Sequence, residues 1–347
     1  MKEKGSKVLN LIKNDDNMRK TKKILKVILY ILIALVILVA IAIPVGLNYY
    51  RNKTSLNTFE TFSEPKQLTF GKIVWNDGEI NGQTVKKMGL FIPVKIKGID
   101  EKFYMQLDIG SYTTLLYSKI LKKVLKNYPD FKTSISKKGR EFLDNVTLEL
   151  ANSKLVLNAQ KILIYDEKDI SKIDSTYEIG TIGYDAIFNR TLILDFKNNR
   201  FSITNKSIDS LGYSVKLIDC SVNKFPVFIS AKIGNNKVRF WFDSGSSIFP
   251  VITSIGNLNS INNAGKVDTL CCVHAWGKDY KILRRKLSVP IKIGNNVFNN
   301  EFVYAIKKYK FFNYLPNWYL FGITGNALFD GKIIIIDTRN DKFGIVE

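Results

Sequence analysis

The chain carries one pattern twice, and that internal duplication constrains its fold more than any other feature of the sequence. The first copy contains Ile92-Pro93-Val94-Lys95-Ile96, then Phe103-Tyr104-Met105-Gln106-Leu107-Asp108-Ile109-Gly110-Ser111. The second contains Val227-Phe228-Ile229-Ser230-Ala231, then Val238-Arg239-Phe240-Trp241-Phe242-Asp243-Ser244-Gly245-Ser246, all at one offset of 135 residues. Further on, Gly180-Thr181-Ile182-Gly183 returns as Gly322-Ile323-Thr324-Gly325. In each copy an Asp follows twelve residues after the second Gly (Asp195, Asp337), and a Phe six residues later still (Phe201, Phe343). Both halves also hold a polar Gly-centred turn (Lys138-Gly139-Arg140; Trp276-Gly277-Lys278) and an Asn-containing hairpin turn (Ala151-Asn152-Ser153; Gly294-Asn295-Asn296). A unit of about 140 residues is too long for a solenoid repeat and suits a lobe with its own core.

Past a polar stalk at residues 48–67, the chain reads as short β-branched and aromatic runs broken by Gly, Asn and Asp, which predicts strands. A helix is expected from Tyr117 to Asn127, where Leu and Ile recur at helical spacing ahead of Pro129. The reading is a mainly β molecule of two related lobes, residues 68–212 and 213–347, with a cleft between them. Ahead of the lobes, residues 27–47 hold no charged side chain and are long enough, at about 1.5 Å per residue, to cross a bilayer as a helix. Nine Lys or Arg precede that run against three acids, so residues 1–26 are expected in the cytoplasm and everything after residue 47 outside it. A cleaved leader is the alternative, because Ala40-Ile41-Ala42 resembles a cleavage site; the long basic lead and the apolar run beyond Ala42 favour a retained anchor.

A net charge of +21 invites a nucleic-acid reading, but outside the N-terminus the lysines are dispersed and no zinc-finger or RNA-binding signature accompanies them. No specific nucleic-acid partner is therefore expected. Three cysteines (Cys220, Cys271, Cys272) form no disulfide framework, although one bridge from Cys220 is conceivable. One histidine, His274, with no paired Cys-x-x-Cys, supports neither a metal site nor Ser-His or Cys-His catalysis, and no cofactor is implied.

The duplicated Asp-x-Gly-Ser element is where chemistry is legible. A carboxylate at the end of an apolar strand, followed by Gly and a hydroxyl, is held in a tight loop. Gly110 and Gly245 bring backbone N–H groups to the carboxylates, and Ser111 and Ser246 can donate to the outer oxygens. If the two lobes face each other, Asp108 and Asp243 share one proton, one acting as base on a water while the other protonates a carbonyl oxygen. Asp195 and Asp337 repeat as faithfully but lack the Gly-hydroxyl element, and read as turn formers. Tyr112 and Trp241 read as packing residues beside the two elements.

Asp108-Ile109-Gly110-Ser111 and Asp243-Ser244-Gly245-Ser246 resemble the paired Asp-Thr/Ser-Gly-Ser/Thr motifs of the pepsin-like aspartic peptidases. Gly325-Asn326-Ala327-Leu328-Phe329 and the closing Lys342-Phe343-Gly344-Ile345 are similar to that family's C-terminal signature. The resemblance implies a bilobal pepsin-like acid protease fold, catalytic Asp108 and Asp243, supporting Gly110, Ser111, Ser244, Gly245 and Ser246, and a polypeptide substrate. It also implies a flap over the cleft, for which Gly139 (residues 136–141) and Trp276 are the candidates. The family carries a hydroxyl after each Asp that ties the two loops together; Ser244 can do this and Ile109 cannot. The alternatives are a weak or inactive relative that binds peptides or an envelope partner, and a structural envelope protein whose basic surface meets acidic polymers.

Overall fold

Strict alternation shapes the strands that lead to the two Asp residues. In Lys102–Leu107, Phe103, Met105 and Leu107 are buried while Tyr104 and Gln106 are not; in Asn236–Phe242 the buried set is Val238, Phe240 and Phe242. A period of two puts every second side chain on one face, so each strand offers one apolar face to a core. The computed structural model describes residues 59–346 except 81, 151–153, 167–171, 174–175, 262–263 and 276–277, together with Tyr30. The predicted membrane span 27–47 and the turn residues 151–153 and Trp276-Gly277 lie outside the described residues. Among the described residues no helix is long and apolar enough to cross a membrane.

The chain is mainly β, and its described strands form three sheets. Each half builds a ten-stranded sheet of its own, and a six-stranded sheet takes strands from both. In that shared sheet Thr191–Asp195 pairs antiparallel with Ile333–Asp337, with Ile193 opposite Ile335 at the centre. These two isoleucines occupy the same place in the two copies, so the pairing is self-complementary, as an interface between two equivalent elements must be. All five residues of Thr191–Asp195 are buried, and only Ile333 of Ile333–Asp337 is partly exposed. That explains why both read as unbroken apolar runs rather than alternating ones. Phe201 and Phe343, fully buried on Arg200–Thr204 and Lys342–Val346, continue the same sheet outward on the two sides.

Within each ten-stranded sheet the Asp-bearing strand runs parallel to the Gly-x-x-Gly strand. Leu107 pairs with Ile182, and Phe242 with Thr324. The ladder continues into the loops, where Asp108 N–H donates to Ile182 O and Asp243 N–H to Thr324 O, both at 3.0 Å. Close passage explains why both copies place glycines here. A Cβ on Gly180 would lie 2.1 Å from Leu115 O, and one on Gly325 would lie 1.6 Å from Ser246 O.

The expected helix forms at Ser118–Leu125, with Ile120, Leu121 and Val124 buried and Lys122 and Lys123 in the last turn, where cations suit the helix dipole. Tyr117 stands as its N-cap and Asn127 N–H closes a further turn on Val124 O, so the element ends slightly inside its predicted span. A second helix, Ile255–Ser260, is capped by Ser254, whose hydroxyl accepts from Asn257 N–H at 3.1 Å.

The reading of residues 48–67 as a stalk needs one correction. Phe59–Ser63 is a strand on the first sheet, with Phe59 opposite Ala159 and Ser63 opposite Val156. Its polar composition belongs to an edge strand with one buried face: Phe59 is inside, and Thr61 Oγ1 accepts from Asn158 Nδ2 at 2.8 Å. Cys220 is a free thiol that donates to Asp341 O.

Candidate active site

Asp108 and Asp243 meet. Each leaves the end of its buried strand and enters a loop closed on itself, with Ser111 N–H donating to Asp108 O at 3.0 Å and Ser246 N–H to Asp243 O at 3.1 Å. Gly110 N–H donates to Asp108 Oδ1 and Gly245 N–H to Asp243 Oδ1, both at 2.9 Å. Each glycine also lies against the opposite carboxyl group. A Cβ on Gly110 would stand 2.3 Å from Asp243 Cγ, and one on Gly245 would stand 2.5 Å from Asp108 Cγ. Neither position requires a left-handed backbone. Glycine is needed there because the two loops cross at contact distance, which extends the reading from turn geometry alone.

The two carboxyls share a hydrogen bond. Burial raises Asp108 above the ordinary carboxylate range, partly offset by the hydrogen bond from Asp243 and the N–H groups of Gly110, Ser111 and Gly245. Burial raises Asp243 further, and the neighbouring negative charge of Asp108 adds to it, so Asp243 sits well above that range. Burial raises both carboxyls, and they titrate as one pair that favours a single shared proton, because two charges this close in a poorly solvated site cannot coexist cheaply.

Ser244 spans the two loops. Its buried hydroxyl accepts from Ile109 N–H at 2.9 Å and donates to Leu107 O at 2.7 Å. Ile109 has no polar side-chain atom and is fully buried in the main apolar core, so its side chain cannot make the reciprocal bond. The expected serine hydroxyl contacts are arranged differently. Ser111 Oγ donates to Thr113 O at 3.0 Å, and the carboxylate instead takes Ser111 N–H at 3.1 Å. Ser246 likewise supports Asp243 through its backbone N–H. The loops curl so that amides, the shorter and more rigid donors, point at the oxygens.

Other residues brace the site, and of these only Asn326 belongs to a stretch singled out in the sequence. Buried Asp185 accepts from Thr114 N–H at 2.8 Å, Thr114 Oγ1 at 2.7 Å and Thr113 Oγ1 at 2.9 Å, locking the chain just after Ser111. In the second half Asn326 Nδ2 donates to Ser244 O at 2.7 Å and to Ser247 Oγ at 2.9 Å. Position 327, which matches Asp185 in the second copy, is Ala, so repeat-matching passes over that brace. Tyr184 OH reaches from the first half to Val222 O at 2.6 Å, and Thr338 bonds back to Ile187 and Arg190.

Tyr309 is a further residue that sequence reasoning missed. Burial and then the negative charge of Asp243 push its phenol up. It belongs to an apolar cluster that joins Ile80, Val85 and Met88 of the first half to Leu270, Tyr280, Ile282 and Phe312 of the second. Tyr112 and Trp241 pack edge-on against Phe225 at 5.2 and 5.7 Å, as packing residues should. Asp195 and Asp337 are fully buried turn formers. Asp195 accepts from Asn198 and Arg200; Asp337 accepts from Ile208, Arg339 and Asn340.

Of the two flap candidates, Gly139 (φ +75°) occupies the turn between Thr133–Ile135 and Glu141–Leu150, at the outer end of the first sheet, with open space around its Cβ position. Trp276, the other candidate, lies outside the described residues; in the chain it falls between the paired strands Ala264–Ala275 and Lys278–Leu287. Among the described residues no three His, Cys, Asp or Glu side chains converge into a metal-ligand set. No protein-family model matches the chain, and no curated protein is significantly similar to it.

Proposed function

We propose that this chain is an aspartic-type endopeptidase of the pepsin-like, bilobal kind, held at the outer face of a membrane by residues 27–47. The observation that carries the reading is the crossed pair of loops, each Gly packed on the other loop's carboxyl, with Asp108 and Asp243 both raised by burial. Ionised Asp108 takes a proton from a water placed between the carboxyls as that water attacks a peptide carbonyl. Asp243, protonated, delivers its proton to the carbonyl oxygen, and the resulting diol collapses with transfer of a proton to the departing amine. Gly110, Ser111, Gly245 and Ser246 contribute amide donors that hold the carboxyls in place, and Ser244 fixes the spacing of the two loops.

The test is hydrolysis of an unfolded protein by the purified chain from acid to neutral pH, with a statine-type inhibitor and with Asp108→Asn and Asp243→Asn beside it. Cleavage that disappears in all three supports the dyad; cleavage that persists in Asp243→Asn refutes it. The second reading is a peptide-binding module on the same fold, favoured by Ile109 in place of the tying hydroxyl and by the apolar cluster around Tyr309. Binding of unfolded polypeptide without cleavage at any pH would select it.

A further inference from the structure

The stretch 302–329 contains no Asp or Glu and carries Lys307, Lys308 and Lys310. Inside it, Tyr314, Trp318 and Tyr319 are 83%, 67% and 46% exposed, and they are three of the four exposed aromatic side chains described between 59 and 346. Scattered exposed apolar residues are ordinary, but three large aromatics within six positions are a patch.

The patch is displayed on a braced loop. Tyr319 and Leu320 N–H both donate to Pro316 O, at 2.8 and 3.0 Å, and Ser254, the cap of Ile255–Ser260, bonds Asn313. Arg239 N–H donates to Asn317 O at 3.0 Å and Phe321 N–H returns to Arg239 O at 2.8 Å, which fastens the loop to the strand that ends at Asp243. Trp318 and Tyr319 stand edge-on, ring centres 6.2 Å apart.

We infer that this loop docks on an anionic lipid surface. Tyr and Trp pair an apolar ring with a polar tip and settle at the headgroup level, where Phe or Leu would sit deeper. The charge has the matching sign, three lysines with no acid in the stretch, each worth about fivefold in binding at an anionic leaflet. The proposed anchor supplies proximity: the eleven residues 48–58 reach at most about 40 Å when extended, so residues 27–47 would keep the domain near lipid without choosing its face. The aromatic loop chooses it. Arg239 lies four residues, about 13 Å of strand, ahead of Asp243, so docking holds the dyad close to the headgroup layer. The docking rests on the anchored reading for its proximity and does not require an active dyad.

The experiment uses the full chain in lipid nanodiscs with brominated acyl chains, made of phosphatidylcholine alone or with phosphatidylglycerol. Tryptophan quenching is compared between the natural chain and Trp318→Phe. In anionic discs the natural chain is expected to lose a component of emission that Trp318→Phe lacks. That difference shrinks without phosphatidylglycerol and when Lys307, Lys308 and Lys310 are replaced by Gln, which lowers the bound-to-free ratio about a hundredfold. Equal fractional quenching in both proteins overturns the inference. So does oxidative footprinting in which unfolded polypeptide, or raised protein concentration in detergent, shields Trp318 and Tyr319 while lipid does not. Carbonate extraction reads the anchor separately: release of the chain from membranes refutes the span, while Trp318-specific quenching in anionic discs would still uphold the docking.

Discussion

Replacing Ser244 with Ala removes one oxygen atom, and the structure assigns that atom an unusually large share of the site's order. The side chain is fully buried, and its hydroxyl satisfies both Ile109 N–H and Leu107 O from the opposite loop. Ala leaves both groups buried without that partner. Each unsatisfied buried polar group costs about 1–3 kcal/mol, so the variant should lose about 2–6 kcal/mol of unfolding free energy. With a urea slope of about 3 kcal/mol per molar, the midpoint should fall by roughly 1 M. Ser244→Thr keeps the hydroxyl and should stay closer to the natural chain, which separates loss of the hydrogen bonds from a change of volume. Leu107 and Ile109 flank Asp108, so the same change should loosen the dyad and lower peptide hydrolysis about a hundredfold, the scale of a 1 Å misplacement. A loss below about 0.5 kcal/mol in equilibrium urea unfolding would refute the reasoning, because it would mean the loops hold their spacing without the tie.

The other expectations concern the same loops. Gly110→Ala and Gly245→Ala should each abolish hydrolysis, because a Cβ 2.3 or 2.5 Å from the opposite carboxyl carbon must push the loops apart; retained activity in either would show that the loops do not cross as described. Both carboxyls are raised in the fold, so the stability they contribute is complete below the ordinary Asp value of 3.8 and is lost as pH rises through the raised values. Asp243→Asn should therefore match the natural chain near pH 3 and melt at a higher temperature at pH 7, by calorimetry; a lower melting temperature at pH 7 contradicts the shared proton. Asp185→Ala should cost about 2 kcal/mol or more, since it removes the acceptor of the buried Thr114 N–H and Oγ1 donors, and a thermal melt within error of the natural chain would remove its bracing role.

Much of this molecule can be read from its residues alone, and the reason is periodicity. Phe103-Met105-Leu107 and Val238-Phe240-Phe242 announce strands with one buried face, while the unbroken apolar runs before Asp195 and Asp337 announce strands buried on both. Repetition of those signals in the same order identified the two Asp residues as equivalents before any geometry was known. Local chemistry was equally legible at Asp195 and Asp337, whose partners lie mostly within a few residues.

What depended on the tertiary structure is every contact between groups distant in sequence. Nothing near Gly110 reveals that its missing Cβ makes room for Asp243, and nothing near Ser244 reveals that its hydroxyl bonds Ile109 across 135 positions. Asp185 had no repeated counterpart to mark it, and Tyr309 lies in a stretch whose sequence carries no motif, yet folding sets one against Thr114 and the other in an apolar cluster drawn from both halves. The strand at Phe59–Ser63 was equally hidden, because an edge strand with polar alternation looks like a linker until its partner Leu155–Tyr165 is in place. Sequence determined the repeated strand-and-loop units, since their patterns are local; only packing decided how the two loops cross, because the separation of two carboxyls is a property of the assembled sheets.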